Sequence, residues 1–154
     1  FGGDYMKKTI GVIFLVMCTS FNLQAVERAE DINALLKNWY QLWDNLYDRT
    51  SVKIEDKLAT LVAKDKLNLN FGRISIESRD RFHQALVGLK NKKAKTIHSF
   101  HNFNRLDSGG IVAYVRYRKL YPEKVDANVE ITIGFTRENG ELKISKYEPK
   151  IIKK

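Results

Sequence analysis

The spacing of hydrophobic residues changes once along this chain, and the change limits the folds that the chain can adopt. Up to about Asn91 the apolar residues recur every three or four positions, and from Thr96 onward they alternate with polar residues. The first spacing is typical of amphipathic helices and the second of half-buried strands. Helices followed by strands indicate an α+β fold, in which a helix layer packs on one face of a curved antiparallel sheet.

Three helices are predicted in the first part. Residues 31–47 form the first, with an apolar stripe made of Ile32, Leu35, Leu36, Trp39, Tyr40, Leu42, Trp43, Leu46 and Tyr47. Ser51 is an expected N-cap for a short second helix. Ser78 is the expected N-cap of the third helix, which should end near Asn91.

The strands are predicted from alternation and turn chemistry. Residues 67–76, interrupted by Gly72, predict a short strand pair or an extended arm between the second and third helices. Four strands follow at residues 96–106, 111–121, 127–137 and 142–147. Asn139-Gly140 is a hairpin signal between the last two. A sheet of four to six antiparallel strands is therefore expected.

The N-terminal segment has the layout of a secretory signal peptide. Residues 6–25 combine a positive start, a short apolar run and Ala25 as a small residue before a cleavage point. Residues 1–5 precede the start Met and are interpreted as a cloning or gene-boundary remnant. We expect a single domain, residues 26–154, in the bacterial periplasm or outside the cell, without a stable membrane anchor after cleavage. Leu23 departs from the usual residue before the cut, so an uncleaved anchor stays as the alternative.

The charge distribution argues against a nucleic-acid-binding protein, and the cysteine content argues against a domain held by disulfides. The net charge is +9, but the basic residues are spread along the chain, with the densest cluster at Lys90, Lys92, Lys93 and Lys95. This distribution favours a solvated surface over nucleic-acid binding, and it permits attraction to an anionic cell envelope. The single cysteine, Cys18, lies in the predicted signal peptide. The domain must therefore be stable without disulfides.

Several local sequences resemble the SnoaL-like group of the nuclear-transport-factor-2-like superfamily. They are the aromatic run NWYQLWDNLY, the His-x-x-x-Asn pattern from His98 to Asn102, AYV at residues 113–115, and the final hairpin ITIGFTRENGELKIS. The order of elements matches as well. The resemblance implies a cone in which the helices and one sheet face enclose a pocket, a scaffold that carries isomerases, dehydratases and binding domains alike.

Catalytic chemistry of the kinds found on this scaffold lacks obvious residues here. Proton abstraction beside a carbonyl needs a carboxylate base in the pocket, yet residues 67–71 read Leu-Asn-Leu-Asn-Phe, with Asp65 as the nearest acid. The aspartate and histidine arrangement of the dehydratases meets the same shortage of acids. The three histidines, His83, His98 and His101, have no spacing typical of a metal site. We expect no metal, and no cofactor because no cofactor fingerprint is present.

The candidate ligand-binding residues come from the first helix and the first long strand. His98, Phe100 and Asn102 occupy even positions of one strand and share a face, which the resemblance places inside the pocket. Tyr40 is an expected hydrogen-bond partner for this group, and Trp43 belongs to an aromatic stripe that forms either a ligand wall or plain core. His98 is also the candidate catalytic residue. A bulge, or a strand turned to its other face, would break this arrangement.

These observations leave three functions open. The first is an exported domain with a pocket for a small, largely apolar ligand and no demonstrable catalytic constellation. The second is a lyase or isomerase with His98 as acid or base, and the third is a protein-binding module that uses the open sheet face. On that outer face Val112, Tyr114 and Leu120 form a candidate surface for a symmetric homodimer, with an ordinary mixed surface as the alternative.

Overall fold

A computed structural model of the protein describes residues 27–152. In chain order they form α1 (Ala29–Asn45), α2 (Ile54–Thr60), β1 (Asn68–Phe71), β2 (Ile74–Ile76), α3 (Arg79–Lys90), β3 (Lys95–Arg105), β4 (Ile111–Tyr121), β5 (Val125–Glu138) and β6 (Glu141–Ile152). The predicted α+β class and element order are confirmed. The predicted signal peptide and its cleavage site lie outside the described residues. No helix in residues 27–152 is long and apolar enough to cross a membrane.

The helix ends follow local capping chemistry at α3 but not at α2. The Ser78 side chain accepts a hydrogen bond from the Arg81 backbone N–H, and Asn91 is the C-cap, as predicted. Ser51 does not cap α2. A turn at residues 51–53 delays the helix start, and the N-cap is Lys53 in the left-handed region at φ 56° without a side-chain cap.

The sheet has six strands in the order β2-β1-β6-β5-β4-β3. Strands β3 to β6 form the predicted antiparallel meander. The expectation of a fully antiparallel sheet is wrong, because β1 pairs parallel to β6 with Leu69 opposite Tyr147. Alternation of apolar residues reports which face of a strand is buried and carries no information on the direction of its neighbour.

The core lies between the stripe of α1 and one face of the sheet, called the inner face below. This face is built by Ile111, Ala113, Val115, Val129, Ile131, Ile133, Ile144 and Tyr147, all buried. Each fully buried aliphatic side chain contributes about 1.5–3 kcal/mol to folding relative to an exposed one. The α1 stripe and the strands are therefore held together mainly by apolar burial, as expected for a domain without disulfides.

Candidate functional site

The last turn of α1 meets the start of β3 through one carboxylate, that of Asp44. Its Oδ1 lies 2.6 Å from His98 Nδ1, and its Oδ2 accepts a hydrogen bond of 2.9 Å from the His98 backbone N–H. Thr96 Oγ1 donates to the same carboxylate at 3.4 Å. The Asp44 side chain is thus fixed by both the side chain and the backbone of β3.

The imidazole of His98 is held between two tyrosine rings. Tyr40 stacks on one side at a centroid distance of 5.2 Å, and Tyr117 lies at 5.1 Å in a tilted arrangement. Because a carboxylate only accepts, Nδ1 donates its proton to Asp44, and this tautomer leaves a lone pair on Nε2. Within residues 27–152, Nε2 makes no hydrogen bond. In its neutral form the ring can therefore accept a proton at Nε2.

His98 also lines a cavity of about 440 Å³ between the C-terminal half of α1, the β1–β2 hairpin and the inner sheet face. We call this cavity the apolar pocket, because aromatic and aliphatic side chains form most of its wall. Its lining residues are Trp43, Tyr47, Phe71, Gly72, Thr96, His98, Val115, Tyr117, Val129, Ile131, Tyr147, Pro149 and Ile151. This volume lies in the range of small-molecule sites.

Two phenols share the wall of the apolar pocket with His98. Burial raises the pKa of Tyr47. Burial also raises the pKa of Tyr117, and the nearby Tyr47 and Asp44 raise it further. Both hydroxyls therefore stay protonated at neutral pH and can donate hydrogen bonds to a ligand oxygen.

A buried tyrosine pair lies on the side of the apolar pocket nearer the core. The hydroxyl oxygens of Tyr40 and Tyr147 are 3.4 Å apart. Burial raises the pKa of Tyr147 to about 12 and that of Tyr40 well above its usual value. The Trp39 indole N–H lies close enough to lower the pKa of Tyr147 in part, yet it is buried without a partner of hydrogen-bonding geometry. Both hydroxyls are therefore held in the buried core beside the apolar pocket.

The structure separates the five predicted ligand-binding residues into groups. Trp43 and His98 line the apolar pocket. Tyr40 and Phe100 line a neighbouring groove on the α1 side of His98 instead. Tyr40 stacks on His98 and is not its hydrogen-bond partner, a part played by Asp44.

The expected place of Asn102 in the pocket is wrong. A β-bulge at His101 shifts the register, so that Phe100 pairs with Val115 and Asn102 pairs with Tyr114. Val115 belongs to the inner face, whereas Asn102 is exposed on the opposite face. Phe103, opposite Ala113, takes the inner position and packs against the core. The extra residue therefore reverses the alternation that the sequence suggested.

Asp44 is the site residue that the sequence reasoning missed. It sits on the polar side of the α1 stripe, where a carboxylate is usually a solvated surface group. One signal was available, since Asp44 lies in the last turn of α1, where the helix dipole disfavours a negative charge. A residue that breaks a local rule often has a role elsewhere in the fold.

Other polar clusters lack this combination of a base and an apolar cavity. His83 Nε2 lies 2.7 Å from Asp56 Oδ1, but this pair is exposed on α3 and α2. A larger cleft of about 760 Å³ lies beside the β3–β4 turn, where Arg137 is engaged by Glu27. No group of three His, Cys, Asp or Glu in residues 27–152 could hold a metal ion.

Comparison with known proteins gives similarity in structure only. No family model matches the sequence, and no protein of curated function matches it. A protein provisionally named scytalone dehydratase, from Novosphingobium aromaticivorans, is similar with a TM-score of 0.61 and 16% identity over 80% of this chain and 83% of that chain. A hexachlorocyclohexane dehydrochlorinase from Novosphingobium barchaimii gives a TM-score of 0.55 and 15% identity over 78% and 86%.

A third similar structure, ActVI-ORFA from Streptomyces coelicolor, has a TM-score of 0.60 and 13% identity over 79% of this chain and 95% of that chain. These likenesses span most of residues 27–152. They confirm the resemblance drawn from the sequence: the chain has the SnoaL-like, nuclear-transport-factor-2-like fold. The fold by itself does not decide the chemistry.

Proposed function

We propose that the apolar pocket binds a small, flat, largely apolar carbonyl compound and that His98 removes a proton from the carbon next to its carbonyl. The observation that carries this proposal is the 2.6 Å contact from His98 Nδ1 to Asp44 Oδ1, made by a histidine on the pocket wall. Asp44 acts as a positioning residue, because it fixes the tautomer and the orientation of the ring and stabilises the imidazolium that forms.

The proton moves from carbon to Nε2 of His98, and the electron pair of the broken C–H bond moves to the carbonyl oxygen as an enolate. Tyr47 and Tyr117 share the pocket wall with His98, and their protonated phenols donate hydrogen bonds to that oxygen in this proposal. Return of the proton to a different carbon completes an isomerisation. Departure of a group from the next carbon completes an elimination. A positioned base of this kind contributes about 10²–10⁴-fold to rate.

The names of two similar structures support the class of reaction. One is provisionally a dehydratase and one is a dehydrochlorinase, and both names describe eliminations. At an identity of 15–16%, these similarities show only that the fold is shared. The evidence for the proposed reaction is therefore the geometry of the site in this chain.

The test begins with the ligand. Native mass spectrometry of protein purified from its own host identifies a co-purified small molecule, and proton exchange of that molecule in D₂O is then followed by NMR. We expect the protein to accelerate exchange at one carbon and His98→Gln to slow it by about 10²-fold or more. His83→Gln is the matched control, because it removes a histidine that pairs with an aspartate outside the pocket.

Retention of the ligand with no exchange above the buffer rate would contradict the catalytic proposal. It would favour the first of the functions left open by the sequence, a ligand-binding domain without turnover. Export and a dimer through the outer sheet face are separate proposals. N-terminal sequencing that finds Val26 first supports cleavage after Ala25, and light scattering that returns a monomer at micromolar concentration counts against the dimer.

A further inference from the structure

Exposed apolar side chains gather at one end of the molecule. With Val87 on α3 as the exception, the large hydrophobic residues most exposed within residues 27–152 are Val52, Ile74, Leu120, Tyr121, Val125, Ile151 and Ile152. Strand register places the end of β4, the start of β5 and the end of β6 together, since Lys119 pairs with Val125 and Val129 with Ile151. The β1–β2 turn is at the same end, because β1 runs parallel to β6.

This end is the mouth of the apolar pocket. Ile151, which is 67% exposed, also lines the pocket, as do Phe71 and Gly72 of the β1–β2 hairpin. Val52 belongs to the loop that follows the pocket-lining Tyr47. We call the seven exposed residues the mouth rim. Ile151 belongs to both the mouth rim and the wall of the apolar pocket, and it joins the exposed apolar residues to the cavity that His98 lines.

Basic side chains border the mouth rim. They come from the loop after α1, the β1–β2 turn, the segment before β3, and the ends of β4, β5 and β6: Arg49, Arg73, Lys92, Lys93, Lys95, Lys119, Lys124 and Lys150. None of these forms an ion pair with another residue of the described range 27–152. Among the acids of the same segments, Asp126 and Glu148 are paired with Arg116 and Lys146, and only Asp48 and Glu123 stand against the eight basic residues without an ion pair in the described range. Positive charge therefore predominates around the mouth.

We infer that the mouth rim docks on an anionic lipid bilayer and that the apolar ligand passes directly between the membrane and the pocket. Aliphatic and aromatic side chains enter the boundary between headgroups and acyl chains, while flanking lysines and arginines meet the anionic headgroups. Exposed apolar residues bordered by charged side chains are typical of a protein or membrane interaction site. A nucleic acid would interact with the basic side chains but not with the exposed isoleucines, whereas an anionic bilayer interacts with both.

Direct exchange also fits the ligand. A largely apolar molecule partitions into membranes, so a pocket that opens onto the bilayer receives the ligand without its passage through water. The inference uses the rim and not the Asp44–His98 contact, so it stands whether or not the ligand is turned over.

The first test is flotation of the protein with vesicles of phosphatidylcholine alone or mixed with phosphatidylglycerol. We expect binding to the mixed vesicles, weaker binding at high salt, and little binding to phosphatidylcholine alone. The double variant Lys124→Glu/Lys150→Glu should bind more than about 25-fold more weakly, at about fivefold for each basic side chain lost. Lys57→Glu/Lys64→Glu, which makes the same charge change away from the mouth, is the control.

A spectroscopic test places the contact. In a Cys18→Ser background, Ile151→Cys and Val87→Cys are labelled with an environment-sensitive dye. We expect a blue shift on vesicles at position 151 and none at position 87. All variants share residues 1–26, so any contribution of that segment is common to them. Equal loss of binding in both charge variants, an unshifted label at position 151, or a rim occupied by a protein partner would each overturn the inference.

Discussion

The space between the helices and the sheet is packed at one end and open at the other. Toward the N-terminal half of α1, Ile32, Leu36, Ile111 and Ile133 are fully buried in the hydrophobic core. Toward its C-terminal half the same two layers separate into the apolar pocket, with the Asp44–His98 contact on its wall. The difference teaches that the same two layers can form a packed core at one end and enclose a cavity at the other.

Substitution of two tryptophans on α1, one turn apart, is the strongest test of the difference between the packed end and the open end. Trp39 is 0% exposed and contacts Phe82 and Tyr147, whereas Trp43 is half-buried and lines the apolar pocket. Trp39→Ala should lower the free energy of unfolding by about 3–5 kcal/mol, because it leaves a cavity in packed core. Trp43→Ala should cost less than half as much and should weaken ligand binding instead.

Urea unfolding with ligand titration measures both effects. Equal losses of stability in the two variants would mean that the open end is packed as tightly as the closed end, contrary to the comparison.

The pH dependence of stability tests whether the buried hydroxyls of Tyr40 and Tyr147 belong to the packed region or to the open one. Burial raises the pKa of Tyr147 to about 12 and that of Tyr40 well above its usual value, while unfolded tyrosines ionise near about 10. Above about pH 10 the folded state therefore holds more tyrosine protons than the unfolded state, so the contribution of these two tyrosines to stability is unchanged below that pH and falls as pH rises through it.

The Tyr147 contribution is about 3 kcal/mol over two pH units. Urea midpoints measured from pH 8 to pH 12 should decline above pH 10, and Tyr147→Phe should decline less steeply than the natural protein. An identical slope in the variant would mean that this hydroxyl is not buried.

Filling the open end should separate binding from folding. Val129 lies on the inner face and lines the apolar pocket, so the ring in Val129→Phe enters open space. We expect a change of less than about 1 kcal/mol in the free energy of unfolding, because overpacking is costly only where no space exists. Ligand retention should fall at least about tenfold, measured by native mass spectrometry. Leu36→Phe at the closed end is the control, and it should cost about 1–3 kcal/mol.

The smallest effect is expected at Asn102. Because the bulge at His101 exposes this residue, Asn102→Ala should alter both stability and ligand binding by less than about 0.5 kcal/mol. Thermal unfolding and the ligand assay check this. A tenfold loss of binding would return Asn102 to the pocket, as the sequence alone had suggested.

The sequence predicted the elements well, because the apolar spacing of α1 and of the strands follows burial directly. Ser78 and Asn139-Gly140 also marked real boundaries, since capping and hairpin turns depend on local chemistry. The site was less accessible. His98 and Trp43, predicted from the sequence, line the apolar pocket. Asp44 was missed because it is 54 residues from His98 in the chain, and only tertiary packing brings the two side chains into contact. The bulge at His101 has no sequence signal of its own.

The bulge at His101 shifts the inward and outward alternation of all later residues of β3 by one position. Before it, Thr96, His98 and Phe100 face inward at even numbers, and after it Phe103 does so at an odd number. Deletion of His101 would remove the bulge and leave Phe103 facing inward, whereas regular pairing with His101 retained would turn Asn102 and Asn104 toward the hydrophobic core and expel Phe103. The inward-facing residues thus have even numbers in the half of β3 that carries His98 and odd numbers in the half that packs on the core. A change in the pairing of His101 would therefore alter which residues of the later half of β3 enter the core, and it would leave Thr96, His98 and Phe100 facing inward.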